Sequence, residues 1–213
     1  MDLTITTIEL GPLDTNCYVL TAGNTCWIVD PGMWPDPLMT HLDAADLAPR
    51  AICLTHGHGD HIGGVRPLKQ RWPELDVICP EADADMLGDA NRNLAATFAM
   101  DVTAPPAEQL IRPGETLAMG ALRWQVLDTA GHTPGGVSFY CPAAATVITG
   151  DALFAGSIGR TDIPRGDAGQ LVANIRNHVL TLPPETTVYP GHGPSTTIGH
   201  EKQSNPFLQQ ADR

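Results

Sequence analysis

Thr55-His56-Gly57-His58-Gly59-Asp60-His61 decides the reading of this chain. It follows directly on Ala51-Ile52-Cys53-Leu54, a short apolar run of the length expected for a buried strand. Histidines at i and i+2 on an extended turn can aim two imidazoles at one cation. The aspartate and histidine at i+4 and i+5 then swing toward a second. Glycines at 57 and 59 let the backbone turn where a Cβ would obstruct it. Imidazole and carboxylate together suit zinc, iron or manganese.

Three further apolar runs end in the same manner. Thr129-Ala130-Gly131-His132-Thr133-Pro134-Gly135 follows the strand pattern at 122–127 and sets His132 in a glycine- and proline-rich loop. Ile148-Thr149-Gly150-Asp151 finishes a buried strand on a carboxylate, an expensive group to bury unpaired. Tyr189-Pro190-Gly191-His192-Gly193-Pro194 repeats the strand followed by a glycine-flanked histidine. Loops of this kind, gathered at one edge of a pair of sheets, would converge on a cleft.

Composition narrows what such a cleft serves. The chain has 213 residues, 42% hydrophobic and 17% charged, the balance of a globular protein with a core. A disordered tail, a fibrous repeat and a disulfide miniprotein are excluded. The formal net charge of −12 repels phosphate backbones, so no nucleic-acid partner is expected. The five cysteines are odd in number, lack C-x-x-C spacing and sit mostly in apolar stretches, which points to reduced, buried thiols. Met1-Asp2-Leu3-Thr4 has neither the basic segment nor the apolar run of a signal peptide. With no run of 18 apolar residues either, a cytoplasmic location away from membranes is expected.

Alternation and short apolar runs place strands at 3–10, 17–21, 26–29, 51–54 and 77–79, and again at 122–127, 137–140, 145–148 and 187–189. Helical spacing appears at 38–47, 65–72 and 171–180, with a short helix expected at 81–89. The proline-bearing stretch 90–113 reads as a flap or a helix-loop insertion. No linker or repeat divides residues 1–213, so one α/β domain is expected, with two sheets face to face and helices outside.

Taken in order and spacing, the four ligand-bearing blocks resemble the metallo-β-lactamase superfamily. Asn16-Cys17-Tyr18, Gly159-Arg160-Thr161-Asp162, Pro164-Arg165-Gly166-Asp167 and Asn205-Pro206-Phe207-Leu208 extend the likeness to its short, single-domain bacterial glyoxalase II group. That group resembles hydroxyacylglutathione hydrolases without their C-terminal helical domain. The resemblance implies an αββα sandwich, two mixed sheets with helices on the outer faces, and a site for two divalent metals, zinc first. It matches His56, His58 and His132 to the first metal and Asp60, His61 and His192 to the second. Asp151 matches the bridging carboxylate, and Asp30 a position behind the ligands. His41, His178 and His200 match no motif.

The implied reaction is hydrolysis of S-D-lactoylglutathione to D-lactate and glutathione. Two dications lower the pKa of a water toward ~7 and so supply hydroxide, with Asp60 and Asp151 as the catalytic carboxylates. Arg160 and Arg165 are the candidates for gripping an anionic, glutathione-derived substrate, unless they pair with Asp162 and Asp167. A persulfide dioxygenase using one iron is the rival from another reaction class, and a lactonase or other esterase of the same fold is a third possibility. Metal buffering without catalysis fits a full set of seven ligand positions less well. The charge and the absence of a signal peptide speak against a nuclease and a secreted β-lactamase.

Overall fold

The computed structural model describes residues 2–209. The first half of the chain lays down one six-stranded sheet in sequence order: β1 (Leu3–Leu10), β2 (Thr15–Ala22), β3 (Thr25–Val29), β4 (Ala51–Cys53), β5 (Asp76–Pro80) and β6 (Gln109–Ile111). The first three strands run antiparallel by tight connections, and β3 through β6 run parallel. The parallel part needs crossovers, and helices α1 (Asp36–Ala44), α2 (Gly59–Ile62) and α3 (Val65–Arg71) occupy two of them.

The second half builds the other sheet from β7 (Thr116–Met119), β8 (Leu122–Asp128), β9 (Val137–Cys141) and β10 (Thr146–Gly150). A small hairpin follows, β11 (Leu153–Phe154) with β12 (Ser157–Ile158), then helix α4 (Ala168–Asn174), β13 (Thr187–Pro190), β14 (Thr196–Thr197) and α5 (Ile198–Ser204). The sheet order is β14-β13-β10-β9-β8-β7, with β10 and β13 parallel and the other pairs antiparallel.

Strand periodicity explains why the two sheets stack. Along β2, Tyr18, Leu20 and Ala22 point into the layer between the sheets, while Cys17 and Val19 point the other way. The inner layer is completed by Trp27 and Val29 from β3 and by Trp124, Val126, Phe139 and Ile148 from the second sheet. Cys17 and Val19 meet Leu38 and Leu42 of α1 and Val65 and Leu68 of α3. On the far side, Val147 and Val188 pack against Leu171 of α4 and Ile198 of α5. Three apolar layers between four sets of elements make the αββα sandwich. Strands buried on both faces carry continuous apolar runs, as β4 does.

This topology also gathers the loops. The carboxyl ends of β3 and β4 lie at one edge of the first sheet. Those of β8, β10 and β13, mutually parallel through the pairings above, lie at the matching edge of the second. A backbone hydrogen bond from Val137 N–H to Thr55 carbonyl, 2.9 Å, stitches the edges together. All five cysteines are buried free thiols. Among the described residues, no helix is long and apolar enough to cross a membrane.

The short helix expected at 81–89 is a 3-10 helix, Glu81–Met86. Three other local readings change. The 90–113 stretch carries a 3-10 turn, Ala95–Phe98, and also the edge strand β6. The helix expected at 171–180 begins three residues earlier, because Asp167 caps it by accepting from Gln170 N–H, and it runs on through a π turn to Val179. Thr197 similarly caps the unanticipated α5, accepting from His200 N–H.

Candidate metal centre

His56 and His58 project from the loop after β4, with His58 extended just ahead of α2, whose single turn presents Asp60 and His61. Neither Gly57 nor Gly59 adopts a positive φ. Their lack of a side chain serves close approach instead. A Cβ on Gly57 would stand 2.9 Å from the Met86 Cβ, and one on Gly59 would stand 2.9 Å from that of Ala95. His132 arrives from the loop after β8, Asp151 from the end of β10, and His192 from the end of β13. Gly191 is equally constrained, since a Cβ there would collide with the Asp151 carboxylate.

These seven side chains converge as two trios with one residue between them. The ligand-type atoms of His56, His58 and His132 lie within 4.8 Å of one another, and so do those of Asp60, His61 and His192. Asp151 Oδ1 stands 3.3 Å from His61 Nε2, and Oδ2 stands 3.5 Å from both His132 Nε2 and His192 Nε2. His41, His178 and His200 lie outside both trios.

Outer partners fix which nitrogen faces inward. His61 Nδ1–H donates to Asp30 Oδ2 at 3.0 Å, His132 Nδ1–H to the Arg160 carbonyl at 2.7 Å, and His192 Nδ1–H to the Leu13 carbonyl at 2.9 Å. His56 Nδ1–H is satisfied by Thr55 Oγ1 at 3.0 Å, whose own hydroxyl donates to Asp30 at 2.6 Å. In all four rings Nδ1 is engaged from behind, so Nε2 is the nitrogen turned toward the cluster. Asp30, in the left-handed region with φ 50°, therefore stands behind the ligands, as its sequence position implied.

The arrangement fits a cation. Buried polar atoms in folded proteins nearly always have a partner. Here His56 Nε2, His61 Nε2 and Asp151 Oδ1 have none, and all three point into the cluster. His58 Nδ1 and His132 Nε2 face each other at 2.9 Å, close enough for one ion to take both nitrogens as ligands. Charge on the side chains splits accordingly. Burial, reinforced by the neighbouring imidazoles, pushes His56 down and His58 to about 3, so these rings are neutral. Burial also opposes the charged forms of the second trio, but there the ion pairs win. His61 and His192, the latter pushed up to about 10, hold protons beside Asp60 and Asp151, whose carboxyls are held low.

A pH prediction follows for the metal-stripped protein. A histidine raised in the folded state contributes stability that is complete below its unfolded pKa near 6.5 and lost as pH climbs through the folded value. Thermal melts of stripped protein should therefore fall steadily from about pH 6.5 to about pH 10. A flat profile over that window would contradict the proton-bearing pair.

The residues that hold these loops carried no assigned role in the sequence reading. Asn16 donates through its amide to the carbonyls of Pro190 and Gly193, and the Tyr18 hydroxyl donates to Pro190 at 2.5 Å, pinning the His192 loop to β2. Asp83, fully buried, accepts from Gly57 N–H, Thr133 hydroxyl and Gly135 N–H at 3.0, 2.6 and 2.7 Å. Burial raises its carboxyl pKa, and those three donors offset part of the rise. One side chain thus ties the His56–His58 loop to the His132 loop.

The two arginines behave differently from each other. Arg160 lines the cleft in front of the cluster, but its guanidinium is held by Asp162 in a two-point pair of 2.8 and 3.0 Å. Arg165 is absent from that lining. It pairs with Asp85 rather than Asp167, whose carboxylate is the helix cap. The cleft itself has a volume of about 650 Å³ and opens directly onto His58, Asp60, His132, Asp151 and His192.

Comparison with known proteins agrees with the geometry. Residues 10–192 match the family model of the metallo-beta-lactamase superfamily. The chain is 39% identical over 202 residues to the probable metallo-hydrolase YqgX of Bacillus subtilis, covering 94% of this chain and 95% of the relative. It is 37% identical over 183 residues to hydroxyacylglutathione hydrolase GloC of Haemophilus influenzae, covering 85% and 86%. Among solved structures, the BLEG-1 B3 metallo-beta-lactamase superposes with a TM-score of 0.92 at 39% identity, over 97% of this chain and all of that one. TTHA1623 in a di-iron-bound form gives 0.86 at 40%, over 95% of this chain and all of that one. The chain belongs to the metallo-beta-lactamase superfamily. It is a metallo-hydrolase of that superfamily, and its histidine–aspartate cluster has the donor set that could hold divalent metals.

Proposed function

We propose that this protein is an acyl-thioester hydrolase, with S-D-lactoylglutathione as the first substrate to test. The observation that carries the reading is the pair of complete trios sharing Asp151, with bare, buried ligand atoms turned toward one another. The trios would hold two divalent ions, which supply a Lewis acid for the carbonyl and a deprotonated water at neutral pH. The likeness to GloC supports a glutathione thioester, and the di-iron form of TTHA1623 sets iron beside zinc as the metal to look for.

The protein's own part is positioning. Thr15 hydroxyl donates to Asp60 Oδ2 at 3.3 Å, which fixes the carboxylate on the cleft side of the second trio, where it can orient an attacking water. Asp151 spans both trios and keeps their charges apart at a fixed spacing. A thiolate leaves with little need of a proton, so the scarcity of free acids in the cleft suits a thioester better than an amide. We read residues 1–213 as one domain acting on a small molecule.

Elemental analysis and two assays on the same preparation test this. About two metals per chain with thioester turnover supports the hydrolase. One iron per chain, oxygen uptake with glutathione persulfide and no thioester turnover would establish the dioxygenase instead. Arg160→Ala addresses the grip on substrate. Its ion pair with Asp162 is solvent-exposed on both sides, so the melting temperature should be essentially unchanged. A KM for S-D-lactoylglutathione within about twofold of the parent is expected, because the guanidinium is already engaged. A tenfold rise would restore Arg160 as the substrate clamp.

A further inference from the structure

Beyond the metal-facing side chains, the cleft is apolar. Leu13, Met33, Leu94, Phe98, Met100 and Ile163 line it. Phe98 is 56% exposed and Leu13 40%, so large apolar side chains face open space at its mouth. The polar groups in the lining are already occupied. The Asn93 amide donates to the carbonyls of Met86 and Val102 and accepts from Ala95 N–H. The Thr97 hydroxyl donates to the Leu94 carbonyl at 2.5 Å. Arg160, the one arginine or lysine among the described lining residues, is paired with Asp162. The chain as a whole carries −12.

The wall is also built rather than incidental. Leu94 and Ala99 both sit in the left-handed region, φ 67° and 56°, on either side of the 3-10 turn Ala95–Phe98. Neither is a glycine, so each costs strain that surrounding contacts must sustain. One such contact reaches the metal loop itself, where Gly59 N–H donates to the Asn93 carbonyl at 2.8 Å. The wall is thereby tied directly to the turn that presents Asp60 and His61.

We propose that this wall is a specificity pocket for an uncharged, apolar flank of the substrate, so that the preferred substrates are neutral alkyl thioesters rather than polyanionic ones. The proposal rests on the hydrolase reading. Away from the metal-facing side chains, a carboxylate in this cleft would find no unpaired lysine or arginine among the described lining residues, and it would meet the field of an acidic protein. An alkyl group would instead cover apolar surface that is otherwise wet. Burying a methylene is worth about 0.8 kcal/mol when complete, so partial cover corresponds to about a two- to fourfold gain in kcat/KM for each added CH2.

The test compares acetyl, butyryl, hexanoyl and succinyl thioesters of N-acetylcysteamine with S-D-lactoylglutathione on metal-replete protein. In parallel, the non-hydrolysable thioether S-hexyl-N-acetylcysteamine is titrated calorimetrically against metal-loaded and metal-stripped protein. The expected result is a rising series from acetyl to hexanoyl, with succinyl at least tenfold below butyryl and saturable binding of the thioether. Phe98→Ser and Leu94→Asn, the latter compatible with a left-handed backbone, should flatten the series and weaken the thioether. Equal kcat/KM across all acyl groups, with no thioether binding, would overturn the pocket while leaving the hydrolase intact. Thioether binding that depends on Phe98, in a protein that hydrolyses no thioester, would support the pocket and overturn the hydrolase.

Discussion

Asp151→Ala should lower thioester turnover by roughly a thousandfold, equivalent to about 4 kcal/mol of transition-state stabilisation. Asp151 reaches both trios from the cleft side, with one oxygen toward His61 and the other toward His132 and His192. Its loss removes the element common to the two metal positions and brings three imidazoles closer to uncompensated contact. Metal content should fall with activity, so elemental analysis belongs in the same experiment. The fold should survive. His61 keeps Asp30 and Asp60 as counter-charges, and the hydrogen bonds that tie β10 to β9 and β13 are backbone bonds. A metal-replete Asp151→Ala protein with near-parental turnover would sink the bridging role. An unfolded variant would be recognised by circular dichroism, and Asp151→Asn, which keeps the shape and loses the charge, would then carry the test.

What the sequence made legible was side-chain chemistry at strand ends. A histidine or aspartate that interrupts an apolar run has few reasons to be there, and all seven such residues come together. Less legible was the work done by backbone atoms. Gly159-Arg160-Thr161-Asp162 stands out as a motif, and its arginine invites a substrate-binding role. In the structure its contribution to the site is the Arg160 carbonyl, which orients His132, while a side chain on Gly159 would collide with the Asp151 carbonyl. Pro164-Arg165-Gly166-Asp167 is similar. Asp167 caps α4 and donates its own N–H to the Gly131 carbonyl at 2.7 Å, anchoring the loop of His132. Such bonds depend on where a loop passes, which local patterns do not encode. The short elements escaped for a related reason. Three residues of β6 lie among prolines, and α5 carries little apolar periodicity, so tertiary contacts decide both.

Asp83 is the sharpest instance, and its replacement gives the second large effect. Glu81-Ala82-Asp83-Ala84-Asp85 reads from sequence only as part of a short helix, yet the middle carboxylate is fully buried and holds the His56–His58 and His132 loops at once. Asp83→Ala leaves the Gly57 and Gly135 amides without their acceptor. Each orphaned buried donor costs about 1–3 kcal/mol, so a loss of about 2–4 kcal/mol in urea unfolding of stripped protein is expected after relief of the buried charge. Metal affinity should weaken by about 10- to 100-fold, the usual scale for groups that orient ligands from behind. Asp83→Asn should fall between the variant and the parent. Its oxygen can still serve one amide, and the Thr133 hydroxyl can turn to accept from the new NH2, leaving a single donor unmatched. Chelator competition separates positioning from mere support of the fold. If Asp83→Ala lost stability but bound metal as tightly as the parent, the two loops would be held in register by something other than this carboxylate.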